Sequence, residues 1–150
     1  MFGLFKKKNS NKKEVTFNYG SIAVDMHSHV LPGIDDGAQT IEDSVALVKK
    51  MMALGIKKII ATPHIMVDFY RNNAQTIGSA LEILKTELKK QHIDVEIEAA
   101  AEHYFDETFE PRIDRKELMV FGDNHVLFEY PLKNIMLLDK SGVKEPGIKI

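Results

Sequence analysis

Short apolar runs alternate with longer amphipathic segments along most of this chain, and this alternation predicts an α/β fold. Residues 22–26 and 58–62 are the first two predicted strands. Pro63 marks the end of the second strand, because proline cannot donate a hydrogen bond to a ladder. An alternating run over residues 93–98 continues through three alanines to residue 102 and predicts the third strand. The fourth predicted strand covers residues 125–130.

Segments with apolar residues at helical spacing lie between these strands. The first begins after Thr40, which together with Asp43 resembles a capping box, and Gly55 supplies its left-handed stop. Residues 74–91 place apolar side chains on one face and lysines on the other, and residues 106–118 favour a short helix. Strands that alternate with helices in this order are typical of parallel β-α units.

The overall composition is that of one ordinary globular domain. The chain has 150 residues, a formal net charge of −2 and no cysteine. The charge gives no general attraction to nucleic acid. The lack of cysteine excludes disulfides, thiolate metal sites and phosphatases with a cysteine nucleophile, and it is consistent with a cytoplasmic protein.

The two ends of the chain do not share the pattern of the domain. Residues 1–18 carry many lysines after a short apolar start and predict a disordered basic tail. This order is the reverse of a secretory signal, and weak contact with an anionic membrane surface is the alternative interpretation of the tail. We assign residues 19–138 to the domain and residues 139–150 to an irregular tail rich in turn formers.

Side chains suited to metal binding follow several of the predicted strands. His27 and His29 are two residues apart at the end of the first strand, so both imidazoles can point at one metal ion. His64 follows the second strand, and Glu102 and Glu129 lie at the ends of the third and fourth. Parallel β/α folds collect their sites at the carboxyl ends of the strands. These five residues are therefore the predicted metal ligands.

This ligand set indicates a hydrolytic reaction. Imidazoles and carboxylates without thiolates suit manganese, zinc or iron. Carboxylates can bridge two ions, and metal pairs generate hydroxide for phosphate ester hydrolysis. The loop at residues 31–37 lies beside the first two ligands, and within it Asp36 could hold a metal-bound water or protonate a leaving group.

Simpler interpretations stand beside several of these assignments. Asp35 and Asp36 could be only turn formers. Strand alternation puts Glu102 on the same face as Glu96 and Glu98, which look solvent-exposed. Glu102 can be a ligand only if a bulge shifts the alternation or if this face becomes buried toward the end of the strand. Glu129 could be an ordinary carboxylate at a strand end.

The remaining histidines are not predicted ligands. His92 and His103 lack partners at ligand spacing, and we expect them at the surface. Asp123 and His125 form a D-x-H sequence, but they precede their strand and belong to the opposite rim.

With these residues in view, the chain resembles the polymerase and histidinol phosphatase (PHP) family, in particular the metal-dependent protein-tyrosine phosphatases of bacterial capsule and exopolysaccharide loci. The resemblance is carried by the sequence D-M-H-S-H at residues 25–29, L-P-G-I-D-D-G at 31–37, T-P-H at 62–64 and E-Y-P at 129–131. It implies a distorted β/α barrel with a metal cluster, commonly manganese. It also implies hydrolysis of phosphotyrosine on a tyrosine kinase of polysaccharide assembly, with the five ligands above and Asp36 as an acid of the catalytic loop.

The resemblance covers the N-terminal part of such a barrel. Members of that family continue through a strand ending in H-P-E-R and another ending in D-x-H, so this chain resembles a copy truncated at its C-terminus. An incomplete barrel leaves a sheet edge open, and we expect poor solubility from it. Two alternatives stay open: a non-catalytic remnant that binds metal or a kinase, and a phosphatase of small esters such as histidinol phosphate.

Overall fold

The structure is a computed structural model and describes residues 21–130. The predicted tails at residues 1–18 and 139–150 lie outside the described residues. Within them the elements follow in the order β1 (Val24–Ser28), α1 (Ile41–Ala53), β2 (Lys58–Ala61), β3 (His64–Ile65), α2 (Ala74–Lys90), β4 (Glu96–Ala99), β5 (Glu102–Tyr104), α3 (Phe109–Asp114) and β6 (Leu127–Glu129).

All strand pairs of the described region are parallel, as the β-α alternation predicts. The strands form one sheet in the order β1-β2-β4 and a second in the order β3-β5-β6. Parallel pairing needs a crossover between the paired strands, and α1 and α2 supply two of these. The mixed α/β fold is therefore confirmed.

The two sheets continue into one another, although the second strand was predicted to end at Pro63. Ala61 pairs with Ala99, and His64 pairs with Glu102. The two members of each pair are separated by the same number of residues, so the register of the strands does not change between the sheets. Between them, the backbone N–H of Glu102 donates to the carbonyl oxygen of Pro63 at 3.0 Å. Pro63 was expected to end its strand, but its carbonyl still accepts a hydrogen bond, so pairing resumes in β3 beyond it.

Helix boundaries follow local signals read from the sequence. The Thr40 hydroxyl accepts from the backbone N–H of Asp43, and the Asp43 carboxylate accepts from the N–H of Thr40, which confirms the capping box. Gly55 has a φ of 98°, the left-handed conformation that stops α1. Helix α2 begins after Asn73, whose side chain accepts two backbone hydrogen bonds. Helix α3 is shorter than the predicted 106–118.

Helices α1 and α2 pack against each other, and α2 also packs against β4. The centre of this layer contains the fully buried side chains of Val48, Ile59, Ile77 and Leu84. This core holds β1, β2 and β4 in place, so the residues at the ends of these strands have fixed positions. Of the helices within residues 21–130, none has the length and apolar character needed to cross a membrane.

Candidate metal centre

The structure brings the five predicted ligands and Asp36 together at one end of the strands. They form three overlapping groups in which one nitrogen or oxygen atom of each residue lies within 4.8 Å of the others. The groups are His27, His29 and Glu102; His29, Asp36 and His64; and His64, Glu102 and Glu129. Shared members link the three groups into one continuous cluster, which we call the His/Glu cluster.

His64 and Glu102 occupy the middle of the His/Glu cluster. The Nδ1 atom of His64 lies 3.3 Å from Oε2 of Glu102 and 3.9 Å from Oε2 of Glu129. This Nδ1 atom is buried and has no hydrogen-bond partner. A buried polar atom without a partner is costly, and binding a cation between the imidazole and the carboxylates would remove that cost. The donor set of imidazoles and carboxylates therefore fits a divalent metal ion.

Asp35 orients His29 and was not among the predicted site residues. Nδ1 of His29 donates to Oδ2 of Asp35 at 2.7 Å. The other nitrogen, Nε2, is left facing Oε2 of Glu102 at 3.4 Å. A carboxylate that fixes the tautomer and ring orientation of a histidine is a common support of metal sites. Asp35 also accepts from the backbone N–H of Gly37, so it forms the turn as well.

The His29–Asp35 pair shifts the pKa of both groups. The hydrogen bond to Asp35 is the main reason that the pKa of His29 is raised, and it outweighs the opposite effect of burial. Burial by itself would raise the pKa of Asp35, but the hydrogen bond and charge of His29, together with hydrogen bonds from the backbone of Gly37 and His64, outweigh it and lower that pKa. The pair thus favours an ionised carboxylate next to the His/Glu cluster.

Thr62 gives His27 similar support and was also missed from the sequence. Its hydroxyl lies 2.7 Å from Nδ1 of His27, and the residue is fully buried. Nε2 of His27 is then 3.8 Å from Oε1 of Glu102. The sequence signal for both supporting residues was their position near predicted site residues: Asp35 directly precedes Asp36, and Thr62 lies two residues before His64.

Asp36 is the most exposed acid of the cluster. Its Oδ1 atom lies 3.6 Å from Nε2 of His64 and 3.7 Å from Nδ1 of His29. About 60% of its side chain is accessible, compared with 1% for Asp35. The two neighbouring aspartates therefore differ in surroundings: Asp35 supports a histidine from inside, and Asp36 faces the solvent beside the cluster.

Glu102 lies in the cluster although Glu96 and Glu98 of the same strand face are exposed, because its surroundings are buried. Glu96 and Glu98 lie on exposed positions of β4 and both form ion pairs with Lys58 at 2.7 Å. The unchanged pairing offset from Ala61 to His64 shows no bulge between β4 and Glu102. Burial increases along the strand instead, and Glu102 itself is only 8% exposed.

The other histidines lie outside the His/Glu cluster, but one of them is not at the surface. His92 is exposed, as expected, and the exposed His125 belongs to a turn that it closes with Phe121. The surface position expected for His103 is wrong, because its side chain is fully buried. Strand alternation turns it away from the cluster, and its Nε2 accepts from the backbone N–H of Met119 at 3.1 Å. Burial lowers the pKa of His103.

An aromatic side chain that the sequence did not single out contacts the cluster. The ring of Tyr70 stacks on the ring of His64 with 5.4 Å between centroids and 14° between planes. The side-chain amide of Asn72 donates to the carbonyl oxygens of Ile34 and His64. The segment after β3 is thereby joined to both the cluster and the loop that carries Asp35 and Asp36.

The sequence is similar to known proteins over most of its length. The family model for capsular polysaccharide synthesis, CpsB/CapC, matches residues 23–145. The tyrosine-protein phosphatase YwqE of Bacillus subtilis (strain 168) is 29% identical over 113 residues, which are 75% of this chain and 44% of YwqE. The tyrosine-protein phosphatase CpsB of Streptococcus agalactiae serotype V is 25% identical over 111 residues, 73% of this chain and 46% of CpsB.

A solved structure is similar over the same region. It is a chain from the crystal structures of YwqE from Bacillus subtilis and CpsB from Streptococcus pneumoniae, described as unique metal-dependent tyrosine phosphatases. The TM-score is 0.65 and the sequence identity 29%, over 72% of this chain and 44% of the solved one. This chain spans less than half the length of the relatives that it matches.

Proposed function

Because this chain belongs to the CpsB/CapC family of capsular polysaccharide synthesis, we propose that it is part of a metal-dependent phosphatase that hydrolyses phosphotyrosine on proteins. The observation that carries the proposal is the His/Glu cluster, in which histidines and carboxylates from separate strands lie within ligand distance of one another. A tyrosine kinase of polysaccharide assembly is the proposed substrate protein, since the family acts in capsule synthesis. A cytoplasmic location, in keeping with the lack of cysteine, belongs to the same proposal.

The proposed metal ligands are His27, His29, His64, Glu102 and Glu129. Manganese is the proposed ion, and zinc or iron would suit the same donors. When bound, such ions lower the pKa of a coordinated water and stabilise the oxygens of a transferring phosphoryl group. Glu102 contributes to two of the three groups and lies between them, so it would help to hold a metal ion at either group.

The protein's own side chains have separate tasks in this proposal. Asp35 and Thr62 hold the Nδ1 atoms of His29 and His27, so their Nε2 atoms stay directed at Glu102. Asp36 is accessible at the edge of the cluster and is the proposed acid that donates a proton to the leaving phenolate oxygen. Its exposure lets it exchange protons with solvent between turnovers.

The finer description of the fold is also a proposal. Parallel strands with their polar ends gathered at one rim support assignment of the described region to the N-terminal part of a distorted β/α barrel of the PHP type. In such a barrel, further strands would continue the sheet from its edges. The TM-score of 0.65 to the solved phosphatase chain supports the same assignment.

The function is tested by hydrolysis of an aryl phosphate with and without Mn²⁺. We expect metal-stimulated release of phosphate that is abolished in His27→Ala and retained in His92→Ala, the matched control with an exposed histidine outside the cluster. Parallel assays on a phosphotyrosine peptide and on histidinol phosphate should favour the peptide. Equal hydrolysis by His27→Ala, or a failure of the wild-type chain to bind any divalent metal, would overturn the proposal.

A further inference from the structure

A tight turn next to the His/Glu cluster carries two aromatic residues in succession. Met66 and Tyr70 pair across this turn through two backbone hydrogen bonds of 2.9 and 2.8 Å. Tyr70 is partly buried against His64, whereas the preceding residue, Phe69, is 74% exposed. We call residues 66–70 the aromatic turn.

The aromatic turn is held in a fixed position. The Nε atom of Arg71 donates to the carbonyl oxygen of Val67 at 2.8 Å, which closes the turn from its C-terminal side. The amide of Asn72 then fastens the end of the turn to His64 and to Ile34. A rigid segment loses little conformational entropy when it binds a ligand, so an exposed aromatic residue on it is a favourable contact surface.

The exposed ring of Phe69 lies on this fixed segment. Phe69 is the most exposed of the large hydrophobic residues in the described region, and it is the direct neighbour of a residue stacked on a cluster histidine. Ligand sites combine aromatic side chains with a few polar groups, so the exposed ring of Phe69 beside the cluster is suited to contact the ring of a ligand.

We propose that the aromatic turn selects aryl over alkyl phosphoesters, with Phe69 as the specificity-determining contact and Tyr70 as a positioning residue for His64. The inference rests on the proposed phosphatase function. In an aryl phosphate the ring is joined to phosphorus through a single oxygen, so a phosphoryl group held at the cluster keeps the ring beside the cluster, in the neighbourhood of the aromatic turn. A phosphoserine side chain has no ring to stack there.

The first experiment measures ligand binding rather than turnover. Phenylphosphonate and methylphosphonate are titrated into the Mn²⁺-loaded chain by calorimetry, for wild type, Phe69→Ala and Phe69→Leu. We expect the wild type to prefer phenylphosphonate, and Phe69→Ala to weaken its binding about three- to tenfold, the usual worth of an aromatic pair. Phe69→Leu should recover only part of the loss, and methylphosphonate binding should not change.

Ile83→Ala is the matched control. Ile83 is 56% exposed on α2, so this variant removes a similar exposed apolar side chain away from the His/Glu cluster. It should leave both phosphonate affinities at the wild-type value. A wild type without preference for phenylphosphonate, or a Phe69→Ala variant that keeps the full preference, would overturn the role of Phe69.

The second experiment separates Tyr70 from Phe69. Tyr70→Leu removes the ring stacked on His64 and should lower Mn²⁺ affinity, while Tyr70→Phe should restore it. Phe69→Ala should bind Mn²⁺ like the wild type. Equal Mn²⁺ affinity in Tyr70→Leu and the wild type would overturn the positioning role.

Different results would overturn the proposed phosphatase function and the proposed specificity of the aromatic turn. If the wild type prefers phenylphosphonate through Phe69 but hydrolyses no aryl phosphate, the specificity of the aromatic turn stands and the catalytic proposal falls. If it hydrolyses phosphotyrosine and phosphoserine peptides equally well and Phe69→Ala changes neither KM, the catalytic proposal stands and the inference about the turn falls.

Discussion

Replacing Asp35 by asparagine removes the charge that fixes His29 while keeping the size of the side chain. Asp35 accepts three hydrogen bonds, from Nδ1 of His29 at 2.7 Å, from the N–H of Gly37 at 2.9 Å and from the N–H of His64 at 3.2 Å. An asparagine has only one acceptor oxygen. At the Oδ2 position its NH2 group faces both Nδ1 of His29 and the N–H of His64, and at the Oδ1 position it faces the N–H of Gly37.

Either orientation is unfavourable, and the magnitude can be worked out from the contacts. If the amide faces His29, the imidazole proton moves to Nε2, the atom directed at Glu102, and that nitrogen can no longer bind a metal. If the NH2 group faces Gly37, a partly buried backbone donor loses its acceptor, which costs about 1 kcal/mol of folding free energy, the lower end of the penalty for a buried donor. Loss of such a supporting contact lowers metal affinity about 10- to 100-fold.

The assay is a calorimetric titration of Mn²⁺ into wild type and Asp35→Asn, together with urea unfolding of the metal-free chains. Asp43→Ala is the control, because it breaks the capping box of α1 and lowers stability by about 1 kcal/mol without touching the cluster. We expect weak Mn²⁺ binding in Asp35→Asn and wild-type binding in Asp43→Ala. Wild-type affinity in Asp35→Asn would refute the reasoning about His29.

Two further predictions follow from the backbone and from burial. A Cβ atom at Gly37 would overlap the carbonyl oxygen of His29, whereas a Cβ atom at Gly78 within α2 meets nothing within 4 Å. Urea unfolding should therefore show that Gly37→Ala is strongly destabilised. The same measurement should show that Gly78→Ala is about 0.5–1 kcal/mol more stable than the wild type. The pKa of His103 is below its ordinary value of 6.5 because the ring is buried, and the neutral ring accepts from the N–H of Met119. Its contribution to stability is therefore complete above the unfolded pKa and is lost as pH falls toward the folded pKa. Between pH 7 and pH 5 the unfolding free energy of wild type should decrease more than that of His103→Gln, and parallel pH profiles would contradict this.

The parts of the fold with local signals could be predicted from the sequence. Thr40 with Asp43 and the glycine at position 55 define the ends of α1 through contacts within a few residues. The spacing of His27 and His29 at the end of an apolar run predicted the site because strand geometry alone makes such neighbours converge. Parallel strands collect their carboxyl ends at one rim, and this rule predicted that His64, Glu102 and Glu129 lie near the two histidines.

The remaining features depend on contacts between residues far apart in the chain. The pairing that resumes beyond Pro63 depends on a partner strand some forty residues away, which sets the position of β3. The support of His27 by Thr62 and the stacking of Tyr70 on His64 are also tertiary contacts without a local signature. His103 was misplaced for a similar reason, since the residues that bury it come from α3 and the loop after it.

The central claim is that the His/Glu cluster binds divalent metal ions. The most direct measurement is anomalous diffraction at the manganese absorption edge from crystals of this chain grown with Mn²⁺. The account predicts anomalous peaks at bonding distance from Nε2 of His27 and His29 and from the carboxylate of Glu102, and no such peak in crystals of His27→Ala. A map without anomalous density at these atoms, or with density only elsewhere on the surface, would contradict it.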